Sequence, residues 1–228
     1  MTAPVQPFRL YGRQVAHGGL TQNQKTCLDE WMPRLGLDEH GPQLDLTSIL
    51  GARRPIWLEV GIGAGEHLLW QAAQNPNIGI IGVEPFVTGI AKCLQGIEAQ
   101  GIRSVRLCMG DARRFIERLP DASISRAFVL HPDPWPKWRH AKRRIISRRF
   151  IGELARVLAP SAQLRVGTDW PDYSCWTLRH LLADPRFVWQ AATARDWQVR
   201  PDDWPQTRYA AKAIKAGRRD VHFTFSRI

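Results

Sequence analysis

Asp133 stands between two prolines in His131-Pro132-Asp133-Pro134-Trp135-Pro136, and a dense run of cations follows at once: Lys137, Arg139, Lys142, Arg143 and Arg144. The prolines restrict φ around the acid and remove backbone donors, so Asp133 is expected on a loop that joins neither helix nor ladder. A fixed carboxylate beside clustered cations suits a reaction on a polyanion. The cations hold phosphate while the acid faces the reacting group. A plain surface loop leading into a solvated basic helix would leave the proline frame unexplained.

A second chemical centre is the glycine-rich run Glu59-Val60-Gly61-Ile62-Gly63-Ala64-Gly65-Glu66. Gly61 and Gly63 let the backbone turn tightly and approach a ligand at the carboxyl edge of a sheet. Alone, such a turn serves a dinucleotide as readily as another adenosine ligand. Three acids sharpen the choice. Glu84, just past the next apolar run, is placed to accept both hydroxyls of a ribose. Asp111, in Gly110-Asp111-Ala112, is placed to reach an adenine amino group. Glu59 would repel a pyrophosphate and favour a cationic ligand portion, such as the amino group of a methionine moiety. The set argues for S-adenosylmethionine over NAD.

The elements that must position these groups alternate along the chain. Strands are expected at Ile56–Val60, Ile78–Val83, Val105–Met109, Arg126–Leu130 and Gln163–Gly167. Helices are expected from about Thr21 to Arg34, through Leu68 to Ala73, from Val87 to Gln100 and from Ser147 to Leu158. His222 to Ile228 alternates with period two, as an antiparallel closing strand would. The fold class is therefore α/β: a doubly wound, mostly parallel sheet, Rossmann-like, with an antiparallel C-terminal strand. Residues 1–52 lack a strong strand signal and are expected as an N-terminal arm (with Phe8, Tyr11, Gly12 and Arg13) and a short helix. Residues 53–228 are expected as the catalytic domain.

The 228 residues carry 32 Lys and Arg against 21 Asp and Glu, a formal charge of +11, which favours a nucleic acid partner. No apolar run is long enough to span a bilayer and no signal-peptide layout is visible, so a cytoplasmic protein without membrane attachment is expected. The 4 cysteines show no metal spacing and read as separate reduced thiols, and no metal is expected. A second cation set, Arg208, Lys212, Lys215, Arg218 and Arg219, falls near helical spacing, so several should share a face. Among the 10 tryptophans, most are expected to be packing. Trp135 is read as scaffold.

The segments LEVGIGAGE, GVE, GDA, PDPWPKWRHAKRR, GTDW and TRYAAKAIKAGR occur in the order and spacing of a known family. Over roughly residues 8 to 228 the chain resembles the bacterial tRNA (guanine-N7-)-methyltransferases, in the class I S-adenosylmethionine-dependent fold. The resemblance implies that Glu59, Glu84, Asp111 and Asp133 contact the methyl donor or line its site, and that Lys137, Asp169 and the stretch from Thr207 through Arg208 and Tyr209 contact the substrate. It implies a target guanine in the variable loop of folded tRNA. Phosphate contacts are expected from Arg139, Lys142, Arg143, Arg144 and Lys212. The chain departs from the family at Ala210, where an acid is usual, and at His131, which is read as a packed or solvated histidine without a catalytic role.

Guanine N7 carries a free lone pair, so no proton must be removed before attack; what develops is positive charge on the purine. Asp133 is the first choice to offset that charge, with Asp169 second. The alternatives are an RNA-binding protein that keeps the fold without turnover, and a small-molecule methyltransferase. The second alternative leaves the charge of +11 unexplained. A monomer and a homodimer are both compatible with the sequence.

Overall fold

Every residue of Ile56–Val60 (β2) is buried, as a central parallel strand with both faces covered requires. Its side chains alternate: Ile56, Leu58 and Val60 join one buried cluster, while Trp57 joins another that also holds Phe128. The computed structural model describes residues 19–51 and 54–228. The expected arm residues Phe8, Tyr11, Gly12 and Arg13 lie outside the described residues.

In chain order the elements are α1 (Gln22–Leu35), β1 (Gly36–Leu37), α2 (Leu46–Leu50), β2, α3 (Glu66–Gln74), β3 (Gly79–Val83), α4 (Val87–Gln100), β4 (Val105–Cys108), α5 (Ala112–Phe115) and β5 (Ile124–Leu130). There follow a 3-10 turn at Trp138–Arg143, α6 (Arg148–Val157), β6 (Leu158–Thr168), α7 (Pro171–Leu182), β7 (Phe187–Trp189), α8 (Arg195–Gln198), α9 (Arg208–Lys215) and β8 (Val221–Arg227). The sheet order is β1-β4-β3-β2-β5-β6-β8-β7, with β8 antiparallel to both β6 and β7.

The mostly parallel α/β sheet with an antiparallel C-terminal strand is thus the observed architecture. The differences are at its margins. A two-residue strand, β1, pairs with β4 inside the segment expected to hold none. The strand β7 adds a second antiparallel pair, and β6 begins five residues before the expected Gln163 because its first residue, Leu158, pairs with Ile124 across an irregularity in register. Thr21 caps α1 with a reciprocal bond to Gln24, and Ser147 caps α6, which places both helix starts where the polar residues announce them.

What matters for function is the order reversal. From β2 the chain steps outward through β3 and β4, then returns to place β5 on the other side of β2. The carboxyl ends of β2 and β5 therefore flank a switch point, where open α/β sheets form ligand crevices. The glycine turn leaves β2 and the Asp133 loop leaves β5.

Candidate active site

At that crevice lies a cavity of about 490 Å³, within the range of small-molecule sites. Gly61, Gly63, Glu84, Asp111, Asp133 and Tyr209 all line it, from five separate segments of the chain. Gly63 has φ +57 and Gly65 φ +80. A Cβ on Gly65 would lie 2.5 Å from the Cys93 sulfur, and one on Gly63 would lie 3.2 Å from a Tyr209 ring carbon. Glycine is required at both for backbone conformation and for close approach.

Glu84 is fixed before any ligand arrives. One carboxylate oxygen accepts from Gly63 N–H at 2.8 Å and the other from Phe86 N–H at 2.9 Å. Burial nevertheless holds its carboxyl above the ordinary range, with Asp133 adding to the shift. A carboxylate has about four acceptor sites, so two remain for a diol. Asp111 caps α5 through Arg113 N–H, and the Arg113 guanidinium spans both its oxygens at 2.9 Å and 2.5 Å. Asp111 is thus paired with Arg113, and both line the cavity.

Glu59 is 3% exposed and does not line the large cavity. Its carboxylate lies 2.7 Å from His67 Nδ1, and it lines a smaller neighbouring recess together with Gly61, His131, Thr207, Arg208 and Tyr209. That recess adjoins the glycine turn, which lines it through Gly61, Ile62 and Ala64.

Asp133 lies on the loop expected of it, in neither helix nor ladder. His131 (φ +47) and Trp135 (φ +41) bracket the loop in left-handed conformations that cost energy for residues with side chains. The His131 N–H holds one end by donating to Gly167 C=O at 2.8 Å. The other end is held by Arg144, whose guanidinium donates to the carbonyls of Pro134 (2.9 Å) and Trp135 (3.3 Å). Although the side chain is exposed at the cavity mouth, partial desolvation by the surrounding protein raises the Asp133 carboxyl above its ordinary value.

Beside it, His131 packs with 8% of its side chain exposed. Its Nδ1 lies 3.9 Å from Asp169 and its Nε2 3.8 Å from Asp220, while Arg218 donates to Asp169 at 2.6 Å. The His131 ring also stacks near Tyr209, centroids 6.2 Å apart. His131, Asp169 and Asp220 are the one grouping with metal-ligand spacing among the described residues. Each ring nitrogen lies nearest a different carboxylate but beyond hydrogen-bond distance, and Asp169 already holds a guanidinium. Asp169 belongs to this cluster and does not line the cavity.

A family model described as "Putative methyltransferase" matches residues 53–223. A tRNA (guanine-N(7)-)-methyltransferase of Rhodospirillum rubrum is 43% identical over 98% of this chain and 89% of that protein. The one from Ruegeria pomeroyi is 44% identical over 100% of this chain and 98% of that protein. The chain belongs to the tRNA (guanine-N(7)-)-methyltransferase family. The structure of the 16S rRNA methyltransferase KamB superposes with a TM-score of 0.59 at 17% identity, covering 82% of this chain and 95% of that one, which bears on the fold alone.

For a member of this methyltransferase family, the cation run divides in an unexpected way. Lys137, Arg139 and Lys142 are exposed. Arg144 is not available to phosphate: it is 7% exposed, pinned to the loop carbonyls and stacked 4.8 Å over Trp176. Arg143, half-buried, lies 4.8 Å over the Trp135 ring and lines the cavity. The cause of the Arg144 correction is that the loop folds back and this arginine becomes its fastening. The second set also divides. Arg208 is paired with Glu66 at 2.9 Å, and α9 ends before Gly217 (φ +67), which turns Arg218 back to Asp169. Thr207 caps α9 by accepting from Ala210 N–H at 3.3 Å, and Ala210 is buried. Phe86, Arg113 and Ile145 line the cavity without having been singled out from the sequence. Arg113 had a legible signal, two residues past a capping acid.

Proposed function

We propose that this chain transfers a methyl group from S-adenosylmethionine to N7 of a guanine in the variable loop of tRNA, forming 7-methylguanosine. The observation that carries the reading is that Asp133, on its proline-framed loop, opens onto the same cavity as Glu84 and the glycine turn. When bound, S-adenosylmethionine supplies an electrophilic methyl group on a sulfonium, and the transfer is an in-line displacement in which alignment is the main demand.

The residues fit that donor. Glu84 would take the ribose, the Asp111–Arg113 pair the base, and Gly61 and Gly63 the close backbone approach, with Glu59 behind the turn for the amino group. Asp133 lines the donor's site and faces the incoming purine. Because N7 is nucleophilic in the neutral base, no general base is required. Asp133 acts by position and field, offsetting the charge that grows on the ring and accepting from guanine N–H donors. Lys137, Arg208, Thr207 and Tyr209 would border the substrate, Asp169 would hold His131 and Arg218 in place there, and Arg139, Lys142 and Lys212 would hold phosphate. Among the described residues no helix is long and apolar enough to cross a membrane. A tRNA substrate agrees with a cytoplasmic location.

The test is labelled methyl donor with unmodified tRNA, followed by nucleoside analysis. Label in 7-methylguanosine is expected. Binding of tRNA without any methylated nucleoside would leave a binding protein on a methyltransferase fold and overturn the proposal.

A further inference from the structure

Two tryptophans three residues apart on the Asp133 loop have opposite fates. Trp135 turns inward, under the Arg143 guanidinium and edge-on to His140 with centroids 5.8 Å apart, and it lines the cavity. Trp138 is 80% exposed, the most exposed of the large hydrophobic side chains among the described residues. Its indole has no ring partner there.

Trp138 is held in this exposed position. It opens the 3-10 turn Trp138–Arg143, closed by His140 N–H donating to Lys137 C=O at 2.8 Å. Pro134 and Pro136 stiffen the approach, and Arg144 clamps the carbonyls behind it. An outward indole on a loop so fastened loses little freedom when something lies against it. Its immediate neighbours, Lys137, Arg139 and Lys142, are exposed cations. A flat aromatic face among phosphate-binding charges is the chemistry of a base-stacking site, and it discriminates against an apolar peptide partner, which those charges would oppose. The same loop carries Asp133 and Trp135 into the cavity, so Trp138 stands just outside the entrance.

We propose that Trp138 is a stacking platform for an unpaired nucleobase of tRNA that neighbours the target guanine. The inference rests on the tRNA reading above and assigns a binding role to a residue that the cavity does not contain. Local opening of the tRNA core must unstack more than the one base that reacts. A platform at the entrance takes a neighbour and offsets part of that cost.

The experiment measures tRNA affinity of wild type, Trp138→Ala and Trp138→Phe across a salt series. Trp138→Ala should weaken binding about tenfold at every salt concentration with the slope of log affinity against log salt unchanged, and Trp138→Phe should retain most of the affinity. Donor affinity, measured separately, should be the same in all three, which shows that the fold is intact. Transcripts with a single abasic nucleotide flanking the target guanine locate the partner: at one position, wild type and Trp138→Ala should bind equally. Unchanged affinity in Trp138→Ala, or a loss seen only as an altered salt slope, overturns the platform. Failure of wild type to methylate bound tRNA would instead overturn the methyltransferase reading, and the affinity measurement would stand.

Discussion

The two sides of the crevice are built on opposite principles. On the β2-β3-β4 side the polar groups are committed before a ligand arrives: Glu84 to two backbone N–H groups, Asp111 to Arg113, and Glu59 to His67. On the β5-β6 side, Lys137, Trp138, Arg139 and Lys142 stand in solvent on a fastened loop. The first side suits a small ligand of constant shape, for which fixed acceptors cost no reorganisation on binding. The second suits a large polyanion whose backbone is met by charge and whose bases are met by aromatic faces. Asp133 sits where the two meet, and substitutions should separate donor binding, RNA binding and turnover accordingly.

The largest expected effect is on turnover alone. Asp133→Ala should lower kcat about 100-fold to 1,000-fold, with donor and tRNA affinities changed far less. Single-turnover methyl transfer and direct binding check this, and equal loss of turnover and tRNA affinity would contradict the division. The pH profile sharpens it. Partial desolvation by surrounding protein raises the folded-state pKa of Asp133, and burial raises that of Glu84, so each is protonated at a higher pH than a free carboxylate near about 4. Activity that needs them ionised should therefore rise with pH along a limb displaced above that value. Asp133→Asn should show a shallower limb, since one of the two titrating groups is gone.

Next comes donor affinity alone. In Glu84→Gln one acceptor oxygen becomes an NH2 group facing a backbone N–H, either of Gly63 or of Phe86. A buried donor left opposite a donor costs about 1–3 kcal/mol, so donor binding should weaken about 10-fold to 100-fold by calorimetry. Binding of tRNA in the absence of donor should stay near the wild-type value. A parallel loss there would mean that the two sides are not separate.

The donor side was the more legible in sequence because its signals are local. Glycines at a turn, acids just past apolar runs and a capping Asp111 each act within a few residues. The proline frame of Asp133 was legible for the same reason. The edge strands were not: Gly36–Leu37 and Phe187–Trp189 are too short to show a period. Nor does charge announce its own burial. Arg144 and Arg139 look alike in sequence, and the difference is made by Tyr173 and Trp176, residues some thirty positions downstream that stack on the Arg144 guanidinium. The His131–Asp169–Asp220–Arg218 cluster joins the ends of three strands and was beyond any local reading.

A smaller effect is expected from the exposed charges. The double substitution Arg139→Ala and Lys142→Ala should lower the salt slope of tRNA binding by about two, one for each phosphate no longer neutralised, while kcat at saturating tRNA holds. Arg144→Ala should behave differently, lowering thermal stability and turnover together with little change in salt slope, because its guanidinium fastens the loop.

The smallest effect tests whether α9 belongs to the substrate side through its start. Removing the cap in Thr207→Ala should cost about 1 kcal/mol, roughly 2–4 °C in Tm for a chain of this size. Thr21→Ala, which breaks the capping box of α1, should cost a similar amount. The two variants are thus matched in stability and differ in place. Only Thr207 lies beside Tyr209, whose ring rests on the glycine turn at Gly63. Fraying the first turn of α9 should therefore raise KM for tRNA severalfold in Thr207→Ala, with Thr207→Ser restoring it, while Thr21→Ala leaves KM unchanged. An equal shift in both would mean that the effect follows stability and that α9 carries no special tie to the substrate.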